Sequence, residues 1–304
     1  MRFPIKRKTG KIITVLIGIA VALFFTLQNT DLFDNLFTKP TKPVSNPSGS
    51  CSVHFIDVGQ GDCTLICSGN ETILIDAGEN NKGDEVLLYL SRLGISKLDY
   101  VIGTHAHSDH IGGLDTVINS IEVENIILSD LPEKMVPTTK TYTDLLEAIV
   151  NRNVNLIVAE PKDSYNIGGG VLTLLSPVDD DYKDLNDFSV VSRFDFGNKS
   201  ILVTGDAEVK AEKDILQSGA YLNADILKVG HHGSDTSSSK AFLEAVSPEV
   251  AVVCVGEGNK YGHPMAETFT KLNALGAKTY RTDLNGSVIA TIDGDKITVT
   301  CEKE

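Results

Sequence analysis

Apolar residues along this chain follow two different periods. Short runs dense in Val, Ile and Leu, bounded by Gly, Asp, Asn or Pro, predict strands. These runs are Ser52–Asp57, Thr64–Cys67, Thr72–Asp76, Tyr100–Gly103, Asn125–Leu128, Asn155–Val158 and Val171–Ser176. The later ones are Ser189–Phe196, Lys199–Thr204, Ile226–Val229, Val250–Val255, Lys278–Arg281, Ser287–Asp293 and Lys296–Cys301. Between them, apolar positions recur at helical spacing in Gly83–Leu93, Gly112–Asn119, Thr141–Asn151, Val209–Ser218, Ser238–Val246 and Met265–Leu275. Strand hairpins near the front and in the middle, with helices between, predict an α/β fold of two packed sheets with helices outside, an αββα sandwich.

The first fifty residues follow neither period. Ile12–Leu27 is a continuous uncharged run, preceded by Arg2, Lys6, Arg7, Lys8 and Lys11 and with no acid before Asp31. Residues 1–30 therefore read as an N-terminal transmembrane anchor or uncleaved signal, the basic end inside and the body outside the membrane. A cleaved secretory signal is the alternative, but no small-x-small site follows Leu27. Residues 31–50 are a linker rich in Pro and Ser, which cannot build a core. The folded domain is expected over 51–304. This predicts a single-pass protein of the cell membrane with an extracytoplasmic domain, or, on the alternative, a secreted one.

Composition narrows the class further. The chain has 304 residues, 41% of them hydrophobic, and a formal charge of −14. Five of its 27 basic residues lie in the first eleven positions, which leaves 22 against 41 acidic ones. Such a body cannot hold a polyanion by diffuse charge, so any nucleic acid must be gripped locally. There are five cysteines. A hairpin around Gly59–Asp62 would set Cys51 opposite Cys67, which makes Cys51–Cys67 a candidate disulfide; small buried hydrophobes are the alternative.

The strands share one chemical habit: they end in polar residues able to bind metal. Ile73-Leu-Ile ends in Asp76, Val101-Ile-Gly-Thr in His105, Ile201-Leu-Val-Thr-Gly in Asp206, and Ile226-Leu-Lys-Val-Gly in His231 and His232. The densest is Thr104-His-Ala-His-Ser-Asp-His110, which gathers three of the chain's seven His with Asp109. Imidazole suits Zn or Mn, and carboxylate admits a second, harder ion close by. Asp57 and Asp62 flank a Gly-Gln-Gly turn and either brace the His loop or only shape the turn. Gly233–Ser239, which includes Ser234, has hydroxyls suited to a phosphate or to capping the next helix. His263, in Gly-His-Pro, is placed to touch substrate or protonate a leaving group, or is a structural turn residue. His54, inside a strand, reads as packing.

Asp76-Ala-Gly, His105-x-His-x-Asp-His110 and Asp206 together resemble the metallo-β-lactamase superfamily. Asp57-Val-Gly-Gln-Gly-Asp62 and His231-His-Gly-Ser-Asp-Thr-Ser-Ser-Ser239 resemble more narrowly the C-terminal domain of the ComEC/Rec2 competence proteins, over roughly residues 51–300. Phosphorylcholine-esterase-type members are similar as well. The resemblance implies two divalent metal ions, Zn or Mn. His105 and His107 would hold one; Asp109, His110 and one of His231 and His232, with His231 preferred, would hold the other; Asp206 would bridge. Asp76 would orient the His loop, and His232 would face substrate or a carboxylate. Asp109 and His263 are the candidate catalytic groups. Two departures stand out. Residues 111–230 contain no His, although the family usually has a further ligand there, and Asn186–Val191 occupies that place. The many-helix channel of ComEC proteins also has no counterpart in a chain with one hydrophobic segment.

The expected activity is metal-dependent hydrolysis of a phosphodiester substrate, either DNA or a phosphorylated envelope group. A small ester such as a lactone is a second enzymatic substrate. A binding module without catalysis, assisting DNA uptake or envelope assembly, is the alternative from another class. The sequence names no protein partner.

Overall fold

The computed structural model describes residues 49–303. The segment 1–30, and all of the expected linker before Gly49, lie outside the described residues. Among the described residues no helix is long and apolar enough to cross a membrane.

The described strands form two sheets. One runs in the order β15 (Lys296–Cys301), β14 (Val288–Asp293), β1 (Ser50–Phe55), β2 (Thr64–Ser68), β3 (Glu71–Ile75), β4 (Lys97–Gly103), β5 (Glu122–Leu128) and β6 (Asn155–Val158). The other runs β13 (Lys278–Arg281), β12 (Val250–Val253), β11 (Ile226–Lys228), β10 (Lys199–Val203), β9 (Ser192–Phe196), β8 (Gly170–Leu174) and β7 (Ser164–Ile167). Each sheet is antiparallel on one side and parallel on the other: β3 to β6 pair in parallel, as do β10 to β13.

The two-residue period of the strands sorts side chains into layers. Ile73, Ile75, Ile102, Ile127, Ile201, Val203, Ile226 and Val252 point into the core between the sheets. Their alternates Leu74, Val101 and Ile126 pack outward beneath α1 (Gly83–Arg92), α3 (Leu114–Ser120) and α4 (Lys140–Asn151). On the far side, Leu202, Leu227 and Ala251 pack beneath α5 (Val209–Gln217), α6 (Lys240–Val246) and α7 (Ala266–Ala274). The layers are thus helix, sheet, sheet, helix, as the pattern of runs predicts.

Several details differ from expectation. Strand β7 was not predicted, because Ser164–Ile167 has one buried apolar side chain and an exposed partner edge. The expected helix Gly112–Asn119 corresponds to α3, and a single turn α2 (Ser108–Ile111), separated from it at Gly112-Gly113, precedes it. A further single turn, α8 (Thr282–Asn285), follows β13. The β1–β2 hairpin is one residue out of the expected register: Cys51 pairs with Ser68 and Cys67 with Ser52. Cys51 therefore faces the inter-sheet core and Cys67 the helix side, and all five cysteines are free thiols.

Candidate metal centre

The C-terminal ends of the parallel strands from both sheets meet at one edge of the sandwich, the usual place for a site in sheets of this kind. After β3, Asp76 turns into the left-handed region (φ 59°). Its Oδ1 accepts from Thr104 N (2.8 Å) and its Oδ2 from Thr104 Oγ1 (2.7 Å), while His110 Nδ1 lies 2.8 Å from Oδ2. One buried carboxylate thereby fixes both ends of the His run. The run turns through α2, with His107 at its N-cap position. The loop after β1 closes against it, Asp62 N donating to Asp109 O at 3.0 Å. This approach needs Gly61, because a Cβ there would sit 2.3 Å from that same carbonyl oxygen.

The imidazoles are oriented by what holds their outer nitrogens. His105 Nδ1 lies near Thr104 Oγ1 (3.2 Å) and Ser189 Oγ (3.3 Å), which leaves Nε2 facing His107 Nδ1 at 2.9 Å. His232 Nδ1 donates to Cys254 O (2.9 Å) and turns Nε2 toward Asp109 Oδ2 (3.3 Å) and Asp206 Oδ2 (3.5 Å). His110 Nε2 lies 3.2 Å from Asp206 Oδ2. The donor atoms of His105, His110 and Asp206 fall within 4.8 Å of one another, as do those of Asp109, His110 and His232.

This donor set fits a divalent cation. His110 Nε2, His232 Nε2 and Asp206 Oδ1 are buried and make no hydrogen bond. Buried nitrogen and carboxylate lone pairs gathered this closely are costly unless a positive charge joins them. In the protein alone that charge comes from protons. Burial pushes the Asp206 carboxyl up, but His110, His232 and Lys228 hold it well below the usual carboxylate range. Burial pushes His110 down, but Asp206, Asp62 and Asp76 carry it well above an ordinary histidine. His232 is pushed up to about 9, its own burial outweighed by Asp206, Asp109 and Asp62. His105 is the reverse: burial, then His110, take it well below the ordinary value.

Sequence reasoning missed Lys228, which is fully buried. Its Nζ pairs with Asp62 Oδ2, donates to Gly205 O (2.9 Å) and lies 3.7 Å from Asp206 Oδ1. The signal was present: in β11, Ile226 points inward and Leu227 outward, so the next residue points inward again. Ser189, which also accepts from Asp206 N (3.0 Å), and Glu208, which contacts His231, were missed too.

The remaining candidates separate clearly. Asp62 belongs to the buried cluster, whereas Asp57 caps its own turn by accepting from Gly59 N (3.1 Å). Of the adjacent pair, His232 is the buried one aimed at the carboxylates. His231, expected as the ligand, is partly exposed, with Nδ1 3.2 Å from Glu208 Oε1 and Nε2 3.7 Å from Asp206 Oδ2. The reason is backbone geometry: both residues adopt left-handed conformations (φ 46° and 52°), which rotates the second ring inward. Ser234 bonds Thr236 within its own loop, and Ser239 caps α6. A cavity of about 310 Å³ opens above the cluster, walled by Gln60, His107, Asp109, Asn186, His231 and His263 among others. His263 Nδ1 has no hydrogen-bond partner there, and the half-exposed Tyr261 ring stacks beside it.

Comparison with known proteins agrees with this geometry. Residues 56–257 match the family described as the metallo-beta-lactamase superfamily. The chain is 29% identical to ComE operon protein 3 of Bacillus subtilis over 79% of its own length and 33% of the relative's. It is 31% identical to competence protein ComA of Neisseria gonorrhoeae (81% of this chain, 33% of the relative) and to recombination protein 2 of Haemophilus influenzae (85% and 31%). It thus spans about a third of the length of these relatives. Among solved structures, the E377D mutant of the CmlA beta-hydroxylase superposes with a TM-score of 0.50 at 14% identity, over 95% of this chain and 60% of that one, a likeness of fold alone. A carboxylate-braced His-x-His-x-Asp-His turn at the meeting edge of two sheets, matched over most of the folded domain, makes this chain a member of the metallo-β-lactamase superfamily, related to ComE operon protein 3, ComA and recombination protein 2.

Proposed function

We propose that this chain is a divalent-metal-dependent phosphodiesterase acting on nucleic acid. The observation that carries this is the convergence of His105, Asp109, His110, Asp206 and His232, from both sheets, beneath an open cavity that His107, Asp109, Asp206 and His232 line. Bound Zn or Mn ions would polarise a phosphoryl oxygen and bring the pKa of water toward neutral. The protein's own groups do the rest. Asp76 and Thr104 fix the His run, so the donors need no rearrangement to receive an ion. Lys228 and Asp62 balance charge beneath Asp206. Asp109 lies at the cavity wall, where it orients the attacking water, and His263, which lines the same space, would protonate a leaving oxygen.

Two observations favour nucleic acid over a phosphorylated envelope group. Tyr261 is 51% exposed at the cavity wall, and Lys260 Nζ lies 5.0 Å from its ring centroid. An aromatic face beside a cation suits a base and its phosphate. The relatives named for competence and recombination support the same substrate. The apolar segment Ile12–Leu27 supports attachment to a membrane, with the hydrolase domain on the side away from the basic N-terminus.

The test is hydrolysis of linear DNA and of bis(p-nitrophenyl) phosphate by the purified full chain with Mn or Zn. Both substrates should be cleaved only with metal. Asp206→Ala should lower turnover on the order of a hundredfold or more while the circular dichroism spectrum stays unchanged. Full metal occupancy with no turnover on either substrate would instead identify a binding module.

A further inference from the structure

Asn186 presents an oxygen with nothing to bind. It stands on the short 3₁₀ turn Asn186–Phe188 between β8 and β9, is 6% exposed, and lines the same cavity as His107, Asp109 and Asp206. The direction of its amide is fixed by chemistry. Glu208 Oε1 lies 3.2 Å from Nδ2, and a carboxylate only accepts, so the NH2 end must face Glu208. Glu208 is itself held by the hydroxyl of Thr236 at 2.8 Å. The other end, Oδ1, is buried and has no hydrogen-bond partner among the described residues. Such an oxygen needs a donor or a cation. The buried ammonium of Lys228 is already committed to Asp62 and Gly205 O. Meanwhile His105 Nε2 and His107 Nδ1 face each other at 2.9 Å, close enough to be joined by one proton or by one cation.

We propose that Asn186 Oδ1 is an oxygen ligand of the divalent cation held by His105 and His107, in a site of two imidazoles completed by oxygen rather than by a third nitrogen. Glu208 is its positioning residue, acting through the amide. The donor set is harder than one of three imidazoles and so accepts Mn readily beside Zn. This inference rests on the metal-centre reading of the cavity.

Titration of the metal-free full chain with Mn, followed by electron paramagnetic resonance and calorimetry, tests it without reference to turnover. Asn186→Ala should weaken one of two Mn equivalents about tenfold or more. Asn186→Asp keeps the shape of the side chain and replaces the carbonyl with an anionic oxygen; made together with Glu208→Gln, whose amide can donate to it in place of the carboxylate, it should tighten that same equivalent. Wild-type affinity for both equivalents in both variants overturns the assignment while leaving the metal centre intact. If the alanine variant does not fold, the aspartate variant decides alone, and unchanged affinity in it refutes the role. Failure of the unmodified chain to bind any Mn or Zn overturns the metal centre and the Asn186 ligand together.

Discussion

At the scale of single residues, the site shows which chemistry a sequence displays and which it hides. His105, His107, Asp109 and His110 are legible because their residue types bind metal and their spacing is tight. Lys228 is not, because a lone Lys in a sequence is ordinarily a solvated surface group, and Asn186 is visible only as part of the segment Asn186–Val191 that stands where a further ligand is expected. Only their place in the fold, one at the inward end of β11 and the other on a turn beneath the cavity, gives them meaning. His54 is the opposite case, a histidine with no part in the site. It is buried in β1, with Nδ1 2.9 Å from Tyr89 Oη and Nε2 3.0 Å from Ser52 Oγ. Burial lowers its pKa to about 4 from 6.5. Between those values the unfolded chain binds the proton and the folded one does not. The contribution of His54 is therefore fully present above pH 6.5 and is lost as pH falls toward 4. Its size is on the order of 3 kcal/mol. Urea unfolding with chelator present, at pH 7 and at about pH 4, checks this. The stability advantage of the wild type over His54→Asn should shrink by roughly that amount on acidification. Parallel stability profiles for the two proteins would mean that His54 is protonated in the fold.

At the scale of elements, hydrophobic period located nearly every strand and helix, while boundaries and registers depended on contacts it cannot express. The register of the β1–β2 hairpin is set by Ile56 N donating to Cys63 O at 2.9 Å inside the loop, a backbone bond with no side-chain signal, and so the Cys51–Cys67 pairing was misplaced. Ser234–Ser239 offered two readings, phosphate cradle or helix cap, and only tertiary contact separates them. Glu212, buried on α5, accepts from Ser238 N (2.5 Å) and Ser239 N (2.9 Å), so a carboxylate of the protein already takes the backbone donors that a phosphate would have used. Ser239 Oγ adds only a long contact to Phe242 N, at 3.4 Å. Glu212 should therefore matter more to α6 than its own N-cap residue does. Glu212→Ala leaves two N–H groups without an acceptor and should destabilise the domain by about 3 kcal/mol, whereas Ser239→Ala should cost about 1 kcal/mol. Chemical denaturation of the two variants gives the order directly, and equal losses would place the cap, not the carboxylate, in control of the helix start.

At the scale of the whole molecule, the candidate ligands are divided between the two sheets. His105, His107, Asp109 and His110 follow β4, whereas Asp206 follows β10 and His232 follows β11. Besides the inter-sheet core, the sheets are tied at this edge by the ion pair of Lys228 with Asp62, which joins β11 to the loop after β1. A cation held by both sets of donors would add a further tie, and it would bind the native arrangement alone because the unfolded chain scatters the donors. Its stabilisation then follows mass action, about 2.7 kcal/mol at a free metal concentration a hundred times Kd. For a domain of this size that corresponds to a rise of roughly 5–10 °C in Tm. Melting curves of the chain should shift upward with Mn or Zn and return with chelator, and the shift should grow with the logarithm of metal concentration. Asp206→Ala removes a donor from one sheet while leaving the His run whole, so its Tm should scarcely respond to metal at the same concentrations. A response as large as that of the wild type would show that the His run binds the ion without help from the second sheet, and that the cation does not clamp the sandwich.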